Sequence, residues 1–205
     1  MKRVSFDVVV QAWLRAEWFS PNNGAIRNSN QALESLVNGE NFDNQLDNQS
    51  RLKILREVFG RSLMIDPLPS DTEWYSASYD KEDIERTYHV SDEWNFLSND
   101  THHPLKVMKN LHLDDDRAKK INDIISSLSQ KTLDRRLILV GTDTNSRLTI
   151  IEGNHRAVAI FKDAGERNIQ NPIIEEVFVG ISPHMKDYIF HKCNLLRQAT
   201  EINKN

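Results

Sequence analysis

The chain has 205 residues, with 26 Lys and Arg against 30 Asp and Glu, and a formal net charge of −4. A chain of this length buries a substantial core, and its single cysteine, Cys193, excludes an internal disulfide and favours a reducing compartment. The negative charge excludes a global positive field, so nucleic-acid binding would need a local basic patch. No apolar run approaches the roughly 18 residues that span a bilayer, so we expect a cytoplasmic protein without a membrane partner.

Residues 1–65 predict a helical unit. Apolar residues at helical spacing predict a first helix over about 5–19. A second apolar stripe consists of Leu52, Leu55 and Phe59. Gly60 follows this stripe and is expected to close the helix in the left-handed conformation. Two prolines within 66–70 then predict a linker, because proline lacks the backbone donor and favours extended neighbours.

Aromatic residues dominate the next stretch. The segment 74–79 is typical of a strand, and Asp80 is a suitable N-cap for a helix over about 81–88. The segment 92–104 lacks periodicity and predicts a loop. The aromatic side chains are able to stack on a base, although core packing is the alternative. They are Trp74, Tyr75, Tyr79, Trp94 and Phe96.

The second half has the clearest periodicity. An amphipathic helix is predicted over about 118–128, and the apolar runs 137–140 and 148–151 predict a hairpin. A third strand is predicted at 177–181, and a C-terminal helix over about 183–197. We therefore predict an α+β fold with a small mixed sheet, a helical N-terminal extension and a C-terminal helix.

The segment Glu152-Gly153-Asn154-His155-Arg156 lies where the second hairpin strand passes into an alanine-rich helix. Glycine permits a tight turn, and a helix N-terminus offers N–H groups and partial positive charge to an anion. The arginine and histidine add donors that suit phosphate, and the carboxylate suits Mg²⁺ or proton transfer. The alternative is an ordinary strand-to-helix junction with exposed polar residues.

The stretch 150–159, which contains this segment, resembles the central motif of the ParB/sulfiredoxin superfamily, in which Gly, any residue and His-Arg precede an alanine-rich helix. The likeness covers roughly 66–183 and is specific over about 137–161. Sulfiredoxins carry a reactive cysteine where this chain has Asn154, so that activity is not expected. The free serine kinases of the superfamily have an acidic residue before the Gly-x-His-Arg sequence, as this chain does with Glu152, and are the closest branch in motif.

The resemblance implies a nucleotide-binding core at 66–183, after the helical unit and before a C-terminal helix and tail at 184–205. It implies that Glu152 is a general base or a magnesium ligand. It further implies that the phosphates of ATP or another nucleotide bind to the turn, through Gly153, Asn154, His155 and Arg156. His155 and Arg156 are thus expected to take part in catalysis as well as binding. The expected activity is that of an ATP- and magnesium-dependent phosphotransferase or nucleotide hydrolase, with an unassigned phosphate acceptor.

These kinases also carry a second acidic residue early in the domain, for which this chain has no recognisable motif. The candidates are Glu73, Glu82, Asp83 and Glu93. His102 and His103 are expected to be loop residues rather than metal ligands. The nearest approach to a basic patch consists of Lys119, Lys120, Lys131, Arg135 and Arg136. If this patch flanks the turn, it could bind a phosphate or a nucleic-acid backbone. One alternative function is therefore a ParB-like DNA-binding or nuclease module of a bacterial or phage system. Another is a degenerate domain that acts as a scaffold for partners.

Overall fold

The computed structural model describes residues 1–90, 94, 107, 116–129, 136–167, 169 and 173–202. Its strands are β1 (Lys2–Val4), β2 (Glu73–Tyr79), β3 (Thr87–His89), β4 (Leu137–Gly141), β5 (Leu148–Glu152) and β6 (Ile174–Ile181). Its helices are α1 (Phe6–Trp18), α2 (Gly24–Ser29), α3 (Glu34–Asn38), α4 (Gln45–Glu57), α5 (Ser62–Ile65), α6 (Lys81–Glu85), α7 (Asp116–Ser129), α8 (Asn154–Glu166) and α9 (Ile189–Ile202). Short 3₁₀ turns lie at Pro21–Asn23, Gln31–Leu33 and Pro183–Asp187.

The strands form one mixed sheet in the order β1-β2-β6-β4-β5-β3. The pair β4 and β5 is antiparallel, as the predicted hairpin requires, whereas β6 runs parallel to β4 and β3 runs parallel to β5. The mixed sheet, the helical N-terminal region and the C-terminal helix agree with the predicted α+β class.

Helices cover both faces of the sheet. On one face, α1, α4 and the region before α9 pack against inward-facing strand residues, among them Ile138, Val140, Ile151 and Phe178. On the other face, α8 packs through Ala157 and Phe161, and α7 packs on the outside of α8. The sheet residues on that face are Leu137, Leu139, Leu148, Ile150, Val177 and Val179. Alternation along each strand therefore divides the apolar residues between two cores.

The N-terminal 65 residues share a core with the rest of the chain. Val9 and Trp13 of α1 belong to the same buried cluster as Ile138 of β4, and β1 pairs with β2 at the sheet edge. The predicted division of the chain at residue 66 stays a prediction. The N-terminal helices nevertheless lie directly against the sheet, close to where β5 ends.

The prediction of one helix over 81–88 is wrong in its second half. The helix ends at Glu85, and β3 follows with all three residues buried. Asp80 does cap this helix, in a capping box with Asp83. Pairing with β5 decides the conformation of β3, since Thr87 and Tyr88 favour a strand when a neighbouring strand is present.

One predicted helix end is confirmed and one predicted helix start is shifted. Gly60 has the expected left-handed backbone, with φ of 67°. The C-terminal helix begins at Ile189 rather than near 183, because Ser182 accepts from the N–H of His184 and starts a 3₁₀ turn first. Within the described residues, no helix combines the length and the apolar character that crossing a membrane requires.

Candidate functional site

Gly153 forms the turn between β5 and α8. Its φ of 95° is left-handed, and a Cβ there would lie 2.5 Å from Cδ2 of Leu137 and 3.0 Å from Nη2 of Arg156. Because Leu137 is fully buried, a larger residue would have to displace packed atoms. The glycine is therefore needed both for its backbone conformation and for the close approach of the neighbouring side chains.

The N-terminus of α8 follows this turn. The first hydrogen bond that closes the helix runs from the N–H of Ala157 to the carbonyl of Gly153, at 2.8 Å. Helix geometry places the N–H groups of Asn154, His155 and Arg156 before that bond, where they carry the positive end of the helix dipole. The turn thus places the N-terminus of a helix at the end of β5, the strand-to-helix junction that the sequence predicted.

Asn154 holds the turn against the strands. Its Oδ1 lies 2.7 Å from Nδ1 of His89 and accepts from the N–H of Val90 at 3.3 Å, and its Nδ2 donates to the carbonyl of Ile150 at 3.2 Å. An amide oxygen only accepts, so His89 carries its proton on Nδ1. The side chain of Asn154 is therefore engaged with the ends of β3 and β5, which leaves its backbone N–H as the group it can offer to a ligand.

A cleft of about 330 Å³ lies beside the turn. The β5–α8 junction from Ile151 to Arg156 forms its floor, α7 forms one wall, and residues from α1 to α5 form the other. The lining residues outside the junction are Ala16, Glu17, Ser20, Asn22, Arg61, Met64, Val90, Trp94, Lys120, Asp123 and Ile124. All five residues predicted from the motif line this one cleft.

Two arginine–carboxylate pairs face the cleft. Nη2 of Arg156 lies 2.7 Å from Oε1 of Glu152, one turn earlier in the chain, and Nε of Arg61 lies 2.5 Å from Oε1 of Glu17. Burial raises the pKa of the Glu152 carboxyl above its ordinary value, while the positive charges of Arg156 and Arg61 oppose that rise. A carboxyl with a raised pKa is suited to accept a proton near neutral pH.

His155 lies in the cleft wall with an unsatisfied ring nitrogen. Within the described residues its buried Nε2 has no hydrogen-bond partner, and its ring meets Trp94 edge-on with centroids 4.8 Å apart. Burial and the charges of Lys120, Arg117 and Arg156 lower the pKa of His155 to about 4. The ring is therefore neutral at physiological pH, so His155 can offer a ligand one hydrogen bond but not a charge.

The sequence did not point to Glu17, Arg61 or Asp123, which join the motif in the cleft. Arg61 and Glu17 are 44 positions apart and belong to the helical region that precedes the predicted core. No motif surrounds either residue, and only the packing of α1 against the sheet brings them to the turn. Lys120 was part of the predicted basic patch, and it does line the cleft.

The other predicted candidates are placed elsewhere. None of Glu73, Glu82 and Asp83 lines the cleft, and Glu73 pairs with Arg3 at 2.9 Å. Arg136 pairs with Glu176 at 3.8 Å. Six further candidates lie outside the described residues: Glu93, Phe96, His102, His103, Lys131 and Arg135. Of the predicted aromatic cluster, Trp94 lines the cleft, whereas Trp74 is buried against Phe6.

Among the described residues there is no group of three or more His, Cys, Asp or Glu side chains placed to hold a metal ion. The carboxylates that line the cleft are those of Glu17, Asp123 and Glu152. No protein-family model, curated protein or solved structure matches this chain.

Proposed function

We propose that the protein binds a nucleotide by its phosphates at the Gly153 turn, and that it is an ATP- and magnesium-dependent phosphotransferase or nucleotide hydrolase with a ParB/sulfiredoxin-like core. One observation carries the proposal: the turn, the N-terminus of α8 and the cationic side chains of Arg61, Lys120 and Arg156 converge on one cleft. Backbone N–H groups and guanidinium groups are the donors that phosphate oxygens prefer.

The cleft has room and surface for more than a phosphate. Its volume falls within the roughly 300–1,000 Å³ of small-molecule sites. Part of its wall is apolar, formed by Met64, Val90, Trp94 and Ile124. An aromatic and aliphatic wall beside the cationic groups of Arg61, Lys120 and Arg156 matches a ligand with a flat base and a charged tail.

Phosphoryl transfer needs few catalytic side chains. In-line transfer depends on positioning and on stabilising charge at the phosphate oxygens, which Arg156 and the helix N-terminus supply. Glu152, at the floor of the cleft, is the candidate base that takes a proton from the attacking hydroxyl or water. Its pairing with Arg156 means that a phosphate and Glu152 compete for the same guanidinium, so ligand binding would release the carboxylate.

Magnesium would take most of its ligands from phosphate oxygens and water. Mg²⁺ commonly binds a protein through one or two carboxylates together with substrate phosphates. Glu17, Asp123 and Glu152 all line the cleft, and Glu152, which lies at the turn itself, would take that share. When bound, the ion would neutralise charge that develops on the phosphate oxygens.

Calorimetry with ATP, ADP and CTP in the presence of Mg²⁺ tests the binding. We expect Arg156→Gln to weaken binding at least about tenfold, since it removes a charged hydrogen-bond donor. Arg167→Gln is the matched control, because Arg167 forms a similar pair with Asp163 in the last turn of α8, outside the cleft. Absence of binding by the unmodified protein would refute the proposal.

Release of phosphate from ATP tests the chemistry separately. We expect Glu152→Gln to retain nucleotide binding and to lose turnover, because the amide cannot accept the proton. Unchanged turnover in this variant would remove Glu152 from the reaction. An electrophoretic shift of duplex DNA at low salt, abolished when Lys119 and Lys120 are neutralised, would instead support the DNA-binding alternative.

A further inference from the structure

Arg61 reaches the cleft from outside the predicted nucleotide-binding core. It lies immediately before α5, and its Nε binds Glu17 of α1, whose side chain is only 6% exposed. The side chain of Arg61 is 35% exposed and lines the cleft. Both members of the pair line the cleft, and the guanidinium is the more exposed of the two.

The hydrogen bond to Glu17 uses one N–H donor of Arg61 and leaves the terminal NH₂ groups for other partners. A guanidinium has five N–H groups, and the pair with Glu17 engages Nε. The two terminal NH₂ groups are the ones that bind phosphate oxygens in a fork. Glu17 therefore orients Arg61 without using the groups that a ligand needs.

Arg156 stands in a second arginine–carboxylate pair, on the floor formed by the junction. It binds Glu152 through Nη2, and its side chain is 7% exposed. The charges of Arg61 and Glu17 both act on the Glu152 carboxyl, so the two pairs lie within electrostatic range of each other. Two guanidinium groups from separate elements thus line one cleft, and Glu17 orients that of Arg61.

The size of the cleft favours an anion with more than one phosphoryl group. At about 30 Å³ for each water in the liquid, 330 Å³ is the volume of about eleven waters, which exceeds what a single phosphate fills. A single phosphate at the turn could meet Arg156 and the helix N-terminus. A second phosphoryl group would extend from there towards Arg61.

We propose that Arg61 and Arg156 form a two-arginine clamp that binds a diphosphate group, so that the site selects nucleoside diphosphates or triphosphates over monophosphates. This inference rests on the proposed nucleotide binding and adds a residue from the N-terminal helices to it. No covalent step is involved. The clamp makes the N-terminal helical region part of the ligand site rather than an appendage.

The test uses the full chain and calorimetry with pyrophosphate and orthophosphate at one pH and one ionic strength. Because Arg61→Gln alone leaves the buried Glu17 without a positively charged partner and threatens folding, the informative variant is Glu17→Gln/Arg61→Gln. Glu17→Gln alone keeps the guanidinium and serves as its reference. Arg56→Gln is the matched control, since Arg56 pairs with Asp66 at 2.7 Å and does not line the cleft.

We expect the unmodified protein and Glu17→Gln to bind pyrophosphate at least about tenfold more tightly than orthophosphate. The double variant should lose about tenfold or more in pyrophosphate affinity while its orthophosphate affinity stays within about twofold. Arg56→Gln should change neither. Equal pyrophosphate affinity in Glu17→Gln and the double variant would overturn the clamp, as would failure of the unmodified protein to prefer pyrophosphate.

Parallel titrations with ADP and AMP separate this inference from the proposed function. If ADP binds with equal affinity to Glu17→Gln and to the double variant, the clamp is wrong and nucleotide binding stands. If pyrophosphate binding depends on Arg61 while no nucleotide binds, the clamp stands and the nucleotide proposal is wrong.

Discussion

Replacement of Gly153 by alanine tests the turn on which the whole site depends. Two costs combine at this position. The left-handed φ of 95° costs a residue with a Cβ about 1–2 kcal/mol. The added Cβ would lie 2.5 Å from Cδ2 of the buried Leu137, and such overpacking costs about 1–3 kcal/mol. We expect a total loss of about 2–5 kcal/mol of unfolding free energy.

Two other glycines separate these costs. Gly60 also has a left-handed φ, of 67°, but a Cβ there would meet no atom within 4 Å, so Gly60→Ala should lose about 1–2 kcal/mol. Gly165 lies inside α8 with no atom within 4 Å of its Cβ position, so Gly165→Ala should gain about 0.5–1 kcal/mol from helix propensity.

Urea unfolding followed by tryptophan fluorescence measures all three variants, since the chain has four tryptophans. From most to least stable, we expect the order Gly165→Ala, unmodified protein, Gly60→Ala, Gly153→Ala. If Gly153→Ala loses no more unfolding free energy than Gly60→Ala does, the contact with Leu137 does not constrain the turn. In that case the close approach inferred for the site is wrong.

Three further predictions concern the scaffold. Burial lowers the pKa of His191 to about 4, so the unfolding free energy is unaffected by this group above the ordinary value near 6.5 and falls as the pH drops from there towards 4. Between pH 7 and pH 5, the unmodified protein should therefore lose about 2 kcal/mol more unfolding free energy than His191→Gln in urea titrations, and equal losses would contradict this. Asn44→Ala removes the side-chain cap of α4 and should cost about 1 kcal/mol by the same method, whereas an unchanged midpoint would mean that the cap contributes nothing. Arg51→Met removes the buried donors to the carbonyls of Leu36 and Gly39, so the unfolding free energy should fall by about 2–4 kcal/mol in thermal or urea unfolding. A loss under about 1 kcal/mol would contradict the role given to these hydrogen bonds.

Local patterns determined much of the β5–α8 junction. Apolar runs predicted β4, β5 and their antiparallel pairing, and the glycine between Glu152 and Asn154 predicted a tight turn into a helix. These features depend on neighbours in the chain: alternation along strands, helical periodicity, and the conformation that glycine tolerates. The same local logic located the N-cap at Asp80 and the left-handed residue at Gly60.

Contacts between distant segments decided the rest. The strand β3 replaced the end of a predicted helix because β5 supplies its hydrogen-bonding partner, which no local pattern at 87–89 reveals. Arg61 and Glu17 entered the cleft because apolar residues of α1 and α4 pack against the sheet, a contact between segments far apart in sequence. Local sequence thus determined the turn and the residues that form it, while tertiary packing decided which charges face it. The reason is that burial depends on the whole fold, whereas periodicity depends on a few neighbours.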